Sequence, residues 1–327
     1  MSLSKARAKA LIKTGVSAAL LATALYRIDI ASFFRQLSHL ESYFILYALL
    51  FYSCLQWLSC IRWQIVLAPS GHRLATWQLM GSYFAGMFLN IFLPGAVGGD
   101  AYRVLQVSRR TQDSEIGLVS VFLERFTGLV ALSLMGILGI VPLFKLIDRW
   151  DIILLFLGCV GALAGGTLLI ASPGLLRWLS PGLNRLHLEK LVTRVAKIQA
   201  LLYQFIQHRR ALFLSIALSL ILQISIVFYH YLLAQQLGIA VTFLELLVFV
   251  PIVVVITMLP ISLGGIGIKE GLWIYLFTQV GQTAEAALLF SITLTVLSWL
   301  LSLPGAVILA ANSQGLRRYL QTRSASP

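Results

Sequence analysis

Six apolar runs, near residues 11–27, 42–62, 116–141, 152–172, 211–237 and 286–311, constrain this chain more than any other feature. Each approaches or exceeds the roughly 18 residues that cross a bilayer as a helix. Backbone groups in hydrocarbon have no water to bond, and a helix satisfies its own. The runs therefore predict an all-α polytopic membrane protein. Composition excludes the soluble alternative: 59% of the 327 residues are hydrophobic and 11% are charged. A globule of that make-up would leave most of its surface apolar.

The net charge of +13 does not point to nucleic acid, because the basic residues lie beside and between the apolar runs. That placement suits loops facing anionic lipid headgroups on the cytoplasmic side. Lys5, Arg7, Lys9 and Lys13 place the N-terminus inside. The first run lacks a clear small-residue cleavage site and reads as an uncleaved span that also sets orientation. The loop at 173–210 carries Arg177, Arg185, Lys190, Arg194, Lys197, Arg209 and Arg210 against Glu189, so it too is expected inside. Arg317, Arg318 and Arg323 place the C-terminus there as well. The expected location is the cell inner membrane, multi-pass, with both termini cytoplasmic. Cys54, Cys60 and Cys159 fall within apolar runs, which implies neither a disulfide framework nor a metal cluster. No metal and no cofactor are expected.

Two further runs, around 76–97 and 243–262, break at related motifs. The first ends in "LPGAVGGDAYR" at 93–103 and the second in "LPISLGGIGIKEG" at 259–271. A shift of 166 residues carries Pro94, Gly98, Gly99 and Arg103 onto Pro260, Gly264, Gly265 and Lys269. If 76–97 crossed the membrane fully, the basic 173–210 loop would fall outside. A re-entrant hairpin at 76–110, and another at 243–280, keep both basic anchors inside. The same shift overlays spans 42–62 and 116–141 on 211–237 and 286–311. The expected architecture is six full spans plus two re-entrant helical hairpins arranged as an inverted repeat. Its pseudo-repeat halves are about 1–145 and 150–315, within one integral domain over 1–327. Three crossings per half is an odd number, so the second copy must be inverted, as in many transporters. The basic loop holds a helical stripe, Leu191, Val195, Ile198, Leu202 and Phe205, with Lys190, Arg194 and Lys197 at its edge. It suits equally a helix on the membrane surface and one packed on the protein's own cytosolic face.

Irregular backbone at membrane depth is tolerated where protein buries it or where it lines a wet cavity. Pro94 and Pro260 remove backbone donors, while Gly98, Gly99, Gly264, Gly265 and Gly267 permit turns and close approach. Interrupted helix ends expose N–H groups that favour anions. Arg103 and Lys269 add a cation to each, making two anion-attracting elements, and a lipid phosphate is the natural anion. The competing reading has each cation pinning its hairpin by pairing with a neighbour, Asp100 or Glu270. "FLERFTG" sets Glu124 and Arg125 inside a span, where charges are rare and face an interior cavity or a partner. Arg125 is a further phosphate candidate. Asp100, Glu124 and Glu270 are candidate charge partners or proton-coupling groups. His230 reads as interfacial or hydrogen-bonded, and Glu245 as a helix cap. Neither Gly-rich motif ends in Lys-Ser/Thr, so neither is a nucleotide loop.

The ordered set Pro94…Gly98-Gly99-Asp100…Arg103, then Glu124-Arg125, then Pro260…Gly264-Gly265-Gly267…Lys269-Glu270-Gly271 resembles the transmembrane flippase-like domain of lysylphosphatidylglycerol synthases. The resemblance covers nearly the whole chain. It implies a flippase-like membrane fold and a lipid or lipid-linked substrate. The full synthase also carries further spans and a soluble aminoacyl-transferase domain, which this chain lacks up to Pro327, so aminoacylation is not expected. The leading expectation is a lipid translocator that moves a phospholipid or lipid-linked phosphate, with an anionic or zwitterionic headgroup, across the membrane. Anionic lipids at the cytoplasmic face are the other expected partner. The alternative is an intramembrane enzyme acting on polyprenyl-phosphate-linked sugars, a substrate that the resemblance keeps open through some archaeal relatives. Asp100, Glu124 or Glu270 would then serve as general base.

Overall fold

The structure is a computed structural model that describes residues 42–93, 97–143, 154, 157–158, 161, 165, 189–258 and 265–324. Nine α-helices and no strand occur among them. They are α1 (Ser42–Leu67), α2 (Thr76–Phe92), α3 (Val97–Thr111), α4 (Ser114–Leu143) and α5 (Glu189–Gln207). There follow α6 (Arg209–Gln236), α7 (Phe243–Met258), α8 (Ile268–Gln279) and α9 (Ala284–Ser324). The expected span 11–27 lies outside the described residues, as does 152–172 apart from residues 154, 157–158, 161 and 165, which are helical.

Four segments are long and apolar enough to cross a membrane: Tyr43–Ser70, Ser114–Gly139, Arg209–Gln236 and Ala284–Ala311. At 1.5 Å per residue, the 26 to 28 residues of each give about 40 Å, against roughly 30 Å of hydrocarbon. Their outward faces carry Leu46, Leu50 and Trp57 on α1, Leu138 on α4, Phe213 and Ile221 on α6, and Leu303 and Val307 on α9, all exposed. In water such faces would aggregate, whereas acyl chains are an equally apolar solvent for them. The protein is an α-helical multi-pass membrane protein.

The remaining apolar helices are shorter. α2 and α7, with 17 and 16 residues, reach only about 25 Å. Each is followed by a second short helix packed on it, α3 on α2 and α8 on α7. The first helix of each pair crosses to the other end of the chain, α2 packing along α9 and α7 along α4, while the second stays with its own end, α3 on α4 and α8 on α9. α1 and α6 lie against each other and join these two groups. A cluster of Leu246, Phe249, Trp273, Phe277 and Phe290 fills the space between α7, α8 and α9. Within it Trp273 and Phe290 meet edge to face at 4.9 Å, an arrangement that favours the aromatic quadrupoles.

Glycine permits the closest contacts. A Cβ on Gly99 would overlap the carbonyl of Gly86, so α3 lies backbone to backbone on α2. A Cβ on Gly305 would overlap the Phe84 carbonyl, which places α9 equally close on α2. Gly267 opens α8 at φ +86°, a positive φ that L side chains rarely adopt. Thr242 and Glu245 cap α7 reciprocally, the Glu245 carboxylate accepting from Thr242 N–H at 2.8 Å and the Thr242 hydroxyl from Glu245 N–H at 3.2 Å. That is the capping role expected of Glu245.

The amphipathic helix in the basic loop forms as α5. Its stripe turns inward, with Leu202 and Phe205 buried against Val66, Val119 and Leu123. Lys197 donates to Asp113 at 2.7 Å and Glu115 at 3.3 Å, tying α5 to the turn between α3 and α4. These contacts favour packing on the protein's own face. Tyr203 and Ile206 remain exposed.

Desolvation alone would raise the Asp113 carboxyl, but the bond from Lys197 and the backbone N–H groups of Ile116 and Glu115 outweigh it and hold the carboxyl below its ordinary value. The bond to Asp113 chiefly holds Lys197 above its own ordinary value. A lowered acid stabilises above its unfolded pKa, about 4, and loses that effect as pH falls through the lowered value. A raised base stabilises below its unfolded pKa, about 10.4, and loses that effect as pH rises through the raised value. Amide protection factors across 189–207, taken relative to the intrinsic base-catalysed rate, are therefore expected to be highest between those limits and to fall on either side, and Lys197→Gln should flatten the profile. The glycine contact makes a second prediction. Gly305→Ala should lower thermal stability by about 1–3 kcal/mol, the usual cost of overpacking. Gly271→Ala, where a Cβ meets nothing within 4 Å, should not.

Candidate functional site

The charges in the helix interior gather around Glu124 on α4. Its Oε2 accepts from Arg103 Nη2 at 2.7 Å, and its Oε1 from the Tyr83 hydroxyl at 2.7 Å and from Arg62 Nη2. Arg62 extends the network to α6 by donating from Nη1 to the Ser219 hydroxyl at 2.8 Å. Adjacent residues on a helix point about 100° apart, so Arg125 faces elsewhere. It forms a two-pronged pair with Asp100, Nε to Oδ2 at 2.9 Å and Nη2 to Oδ1 at 2.8 Å. Asp100 also receives Arg103 Nη1 at 3.3 Å.

Arg103 is 3% exposed, and its guanidinium lies over Trp63 at 4.2 Å and Tyr83 at 3.9 Å from the ring centroids. Aromatic faces are electron-rich, so these two rings help replace the lost hydration of a buried cation. Each ion pair in such a setting must recover a desolvation cost of several kcal/mol, which demands near-complete hydrogen bonding. Glu124 meets that demand and the cations do not. Arg62 Nε and Arg103 Nε are buried with no partner among the described residues.

These groups form one wall of a cavity of about 370 Å³, a volume typical of small-molecule sites. Arg62, Arg103, Glu124 and Arg125 line it on one side, and His230, Lys269 and Trp273 from α6 and α8 also line it. The Lys269 amine donates to the Thr295 hydroxyl on α9. No carboxylate lies within ion-pair distance of it among the described residues. Glu270 turns away, with Oε2 accepting the Gly267 N–H at 2.6 Å and Oε1 the Ser291 hydroxyl at 3.4 Å. It caps its own helix. His230 Nδ1 is 2.7 Å from the Ile226 carbonyl, which requires N–H at that nitrogen. The residue is thus hydrogen-bonded, as expected, but sits in the cavity wall.

Of the expected site residues, Asp100, Arg103, Glu124 and Arg125 share one network, and Lys269 faces the same cavity. Gly99 donates its N–H to the Asn90 side chain at 2.7 Å, so one exposed helix-end donor is already satisfied within the protein. Gly98 lies beside it in the first turn of α3, while Gly265 and Gly267 shape the turn before α8. Pro94, Pro260 and Gly264 lie outside the described residues. Sequence reasoning missed Arg62, Tyr83 and Ser219. Arg62 carried a usable signal: it was placed at the end of a span, whereas the apolar pattern "RWQIVL" continues and the helix runs to Leu67.

Fold and site together define a polytopic helical membrane protein with a cation-rich internal cavity. The chain belongs to the family described as Lysylphosphatidylglycerol synthase TM region, which it matches over residues 10–305. It is 23% identical over 295 residues to UPF0104 membrane protein PH1989 of Pyrococcus horikoshii, covering 82% of this chain and 87% of that protein. No solved structure matches it.

The unequal pairing of Glu124 and Lys269 separates two roles. Glu124→Gln removes the anion that offsets two buried guanidiniums and should cost about 3–5 kcal/mol of stability. Lys269→Met strands no ion-pair partner among the described residues and should leave stability unchanged or raise it. Thermal unfolding of both variants in lipid nanodiscs measures the contrast.

Proposed function

We propose that this protein carries a lipid with a phosphate-bearing headgroup from one leaflet of the inner membrane to the other. The observation that carries the reading is the cavity itself. Four cations, Arg62, Arg103, Arg125 and Lys269, converge on a space large enough for a headgroup, inside a protein otherwise surrounded by hydrocarbon. Membership of a family named for the membrane region of a lipid-modifying synthase supports a lipid substrate. In this reading Lys269 and Arg125 contact the phosphate, and Arg103 contributes chiefly by its charge, since its terminal nitrogens are taken by Glu124 and Asp100. Asp100, Glu124 and Glu270 offset the cations when the site is empty.

The transport architecture is part of the proposal. A shift of 166 residues places α2 on 242–258, against an observed α7 of Phe243–Met258, and it superposes α1, α3 and α4 on α6, α8 and α9 in order. That recurrence supports an inverted repeat within one domain, with six spans in all. The pairs α2–α3 and α7–α8 act as re-entrant hairpins, too short to cross individually and entering from opposite sides. The basic residues flanking the spans place both termini and the 173–210 loop in the cytoplasm. The hairpins alternately admit the headgroup from each leaflet while the acyl chains stay in the bilayer.

The enzymatic alternative draws less support. A carboxylate has about four acceptor positions. Arg62, Arg103 and Tyr83 occupy three of those on Glu124. Arg103 and Arg125 fill three on Asp100, and Glu270 is held by the Gly267 N–H and the Ser291 hydroxyl. Translocation is tested in proteoliposomes carrying a tail-labelled phospholipid. Native protein should accelerate flipping over protein-free vesicles. Lys269→Met and Arg125→Gln should each slow it tenfold or more, the order expected for losing a charged hydrogen bond. Identical rates for native protein, variants and empty vesicles would sink the proposal.

A further inference from the structure

We propose that the uncharged part of the cavity wall is a subsite for a hydroxylated group, a polyol or sugar, borne by the phosphate. This rests on the translocation reading above and specifies what the moved headgroup carries beyond its phosphate.

The subsite is built on α1. Tyr52, Gln56, Ser59 and Arg62 all line the cavity. Steps of four, three and three residues keep them on one face of the helix. At 1.5 Å per residue the stripe is about 15 Å long. Arg62 ends it in the charge network around Glu124, and the three residues before it are polar without charge. His230 on α6 lines the same space. Tyr52, Gln56, Ser59 and His230 are half-buried, so each presents surface as well as lining the cavity.

Their hydrogen-bonding capacity is largely unspent. The Ser59 hydroxyl has no partner among the described residues. The Gln56 amide reaches the Tyr52 oxygen one turn back. That leaves the Gln56 carbonyl and the Tyr52 O–H without protein partners among the described residues. His230 holds a proton at Nδ1 against the Ile226 carbonyl, so Nε2 of the neutral ring is an acceptor. The wall thus offers both donors and acceptors. A phosphate oxygen only accepts, whereas a hydroxyl donates and accepts and so uses both kinds. An acyl chain uses neither, and would leave these groups unsatisfied.

The cations assigned to the phosphate adjoin this wall. Arg125 is close enough to Tyr52 for its charge to act there, and Lys269 acts likewise on His230. Ring packing holds both polar groups in place. Tyr52 meets Tyr229 edge to face at 5.5 Å, and His230 lies 5.8 Å from Trp273. A group esterified to a phosphate between Arg125 and Lys269 therefore meets Tyr52 and His230 first. A phosphate of five atoms leaves much of the cavity of about 370 Å³ to such a group. A polyol acylated at one hydroxyl keeps its others, so an aminoacylated headgroup is compatible with the same subsite.

The experiment compares two tail-labelled lipids in proteoliposomes, phosphatidylglycerol and phosphatidylpropanol. Both carry one negative charge and a three-carbon headgroup, and they differ by two hydroxyls. Uptake of radiolabelled glycerol phosphate is followed in parallel, because a free phosphorylated polyol offers the same chemistry. Native protein is expected to flip phosphatidylglycerol about tenfold faster than phosphatidylpropanol, the order expected for two hydrogen bonds. Tyr52→Phe combined with Gln56→Leu should bring that ratio close to one. Both rates come from one preparation, so the ratio stays readable even where a variant reconstitutes poorly. A native ratio near one, with both lipids moving, overturns the proposal and leaves translocation intact. A preference that the double variant retains overturns the assignment to these residues. Uptake of glycerol phosphate without lipid movement overturns the lipid as the carrier of the polyol. No movement of any species above empty vesicles removes the translocation reading and this proposal together.

Discussion

A carboxylate buried among helices and held by two guanidiniums is the constraint around which the rest of this structure is arranged. Glu124 cannot remain charged in such surroundings without partners, and its partners come from three separate helices: Arg62 on α1, Tyr83 on α2 and Arg103 on α3. Arg62 then reaches α6 through Ser219. Five helices are thereby brought to one point by electrostatics, in a medium where apolar association alone gives little preference for one helix pairing over another. The Trp63 and Tyr83 rings, set at right angles to each other beside Arg103, complete the arrangement by replacing water around the guanidinium.

The two ends of the chain meet this requirement differently. The first half supplies the network of ion pairs. The second supplies an aromatic packing of Trp273, Phe277 and Phe290, and against it a lysine whose described partner is a hydroxyl. Rigid charge recognition on one wall and a weakly held cation on the other give the cavity an electrical direction, even though the helices around it recur in the same order. Helices in a recurring order are therefore compatible with an asymmetric site.

Much of the helical framework was legible in the sequence because length and hydropathy set it. The runs at 42–62, 116–141, 211–237 and 286–311 correspond to α1, α4, α6 and α9, and the two Pro-Gly motifs end inside the second short helix of each pair, with Arg103 on α3 and Lys269 on α8. The importance of Glu124 was legible too, since a charge within a span demands a partner. Which partner was not. The bond from Arg125 to Asp100 joins residues 25 apart on different helices, and no periodicity reports it. Arg62 was hidden by hydropathy, which trims a helix at its first charge even when that charge points inward. Glu270 illustrates a local rule overriding a pattern. Its adjacency to Lys269 suggested an ion pair, yet neighbours on a helix diverge, and the open N-terminus of α8 offered it a closer donor at Gly267.

The contact at Gly305 carries a mechanical consequence. Where α9 meets α2, main chain touches main chain at the Phe84 carbonyl, with no side chain between them to change rotamer. Such a joint permits sliding along the helix axes and resists separation across them. Since α2 leans on α9 while α7 leans on α4, the first helix of each short pair is seated on a long helix from the opposite end of the chain and the second on one from its own end. Each short pair is thereby braced against both ends of the chain at once, so its seating depends on helices that lie far apart in the sequence.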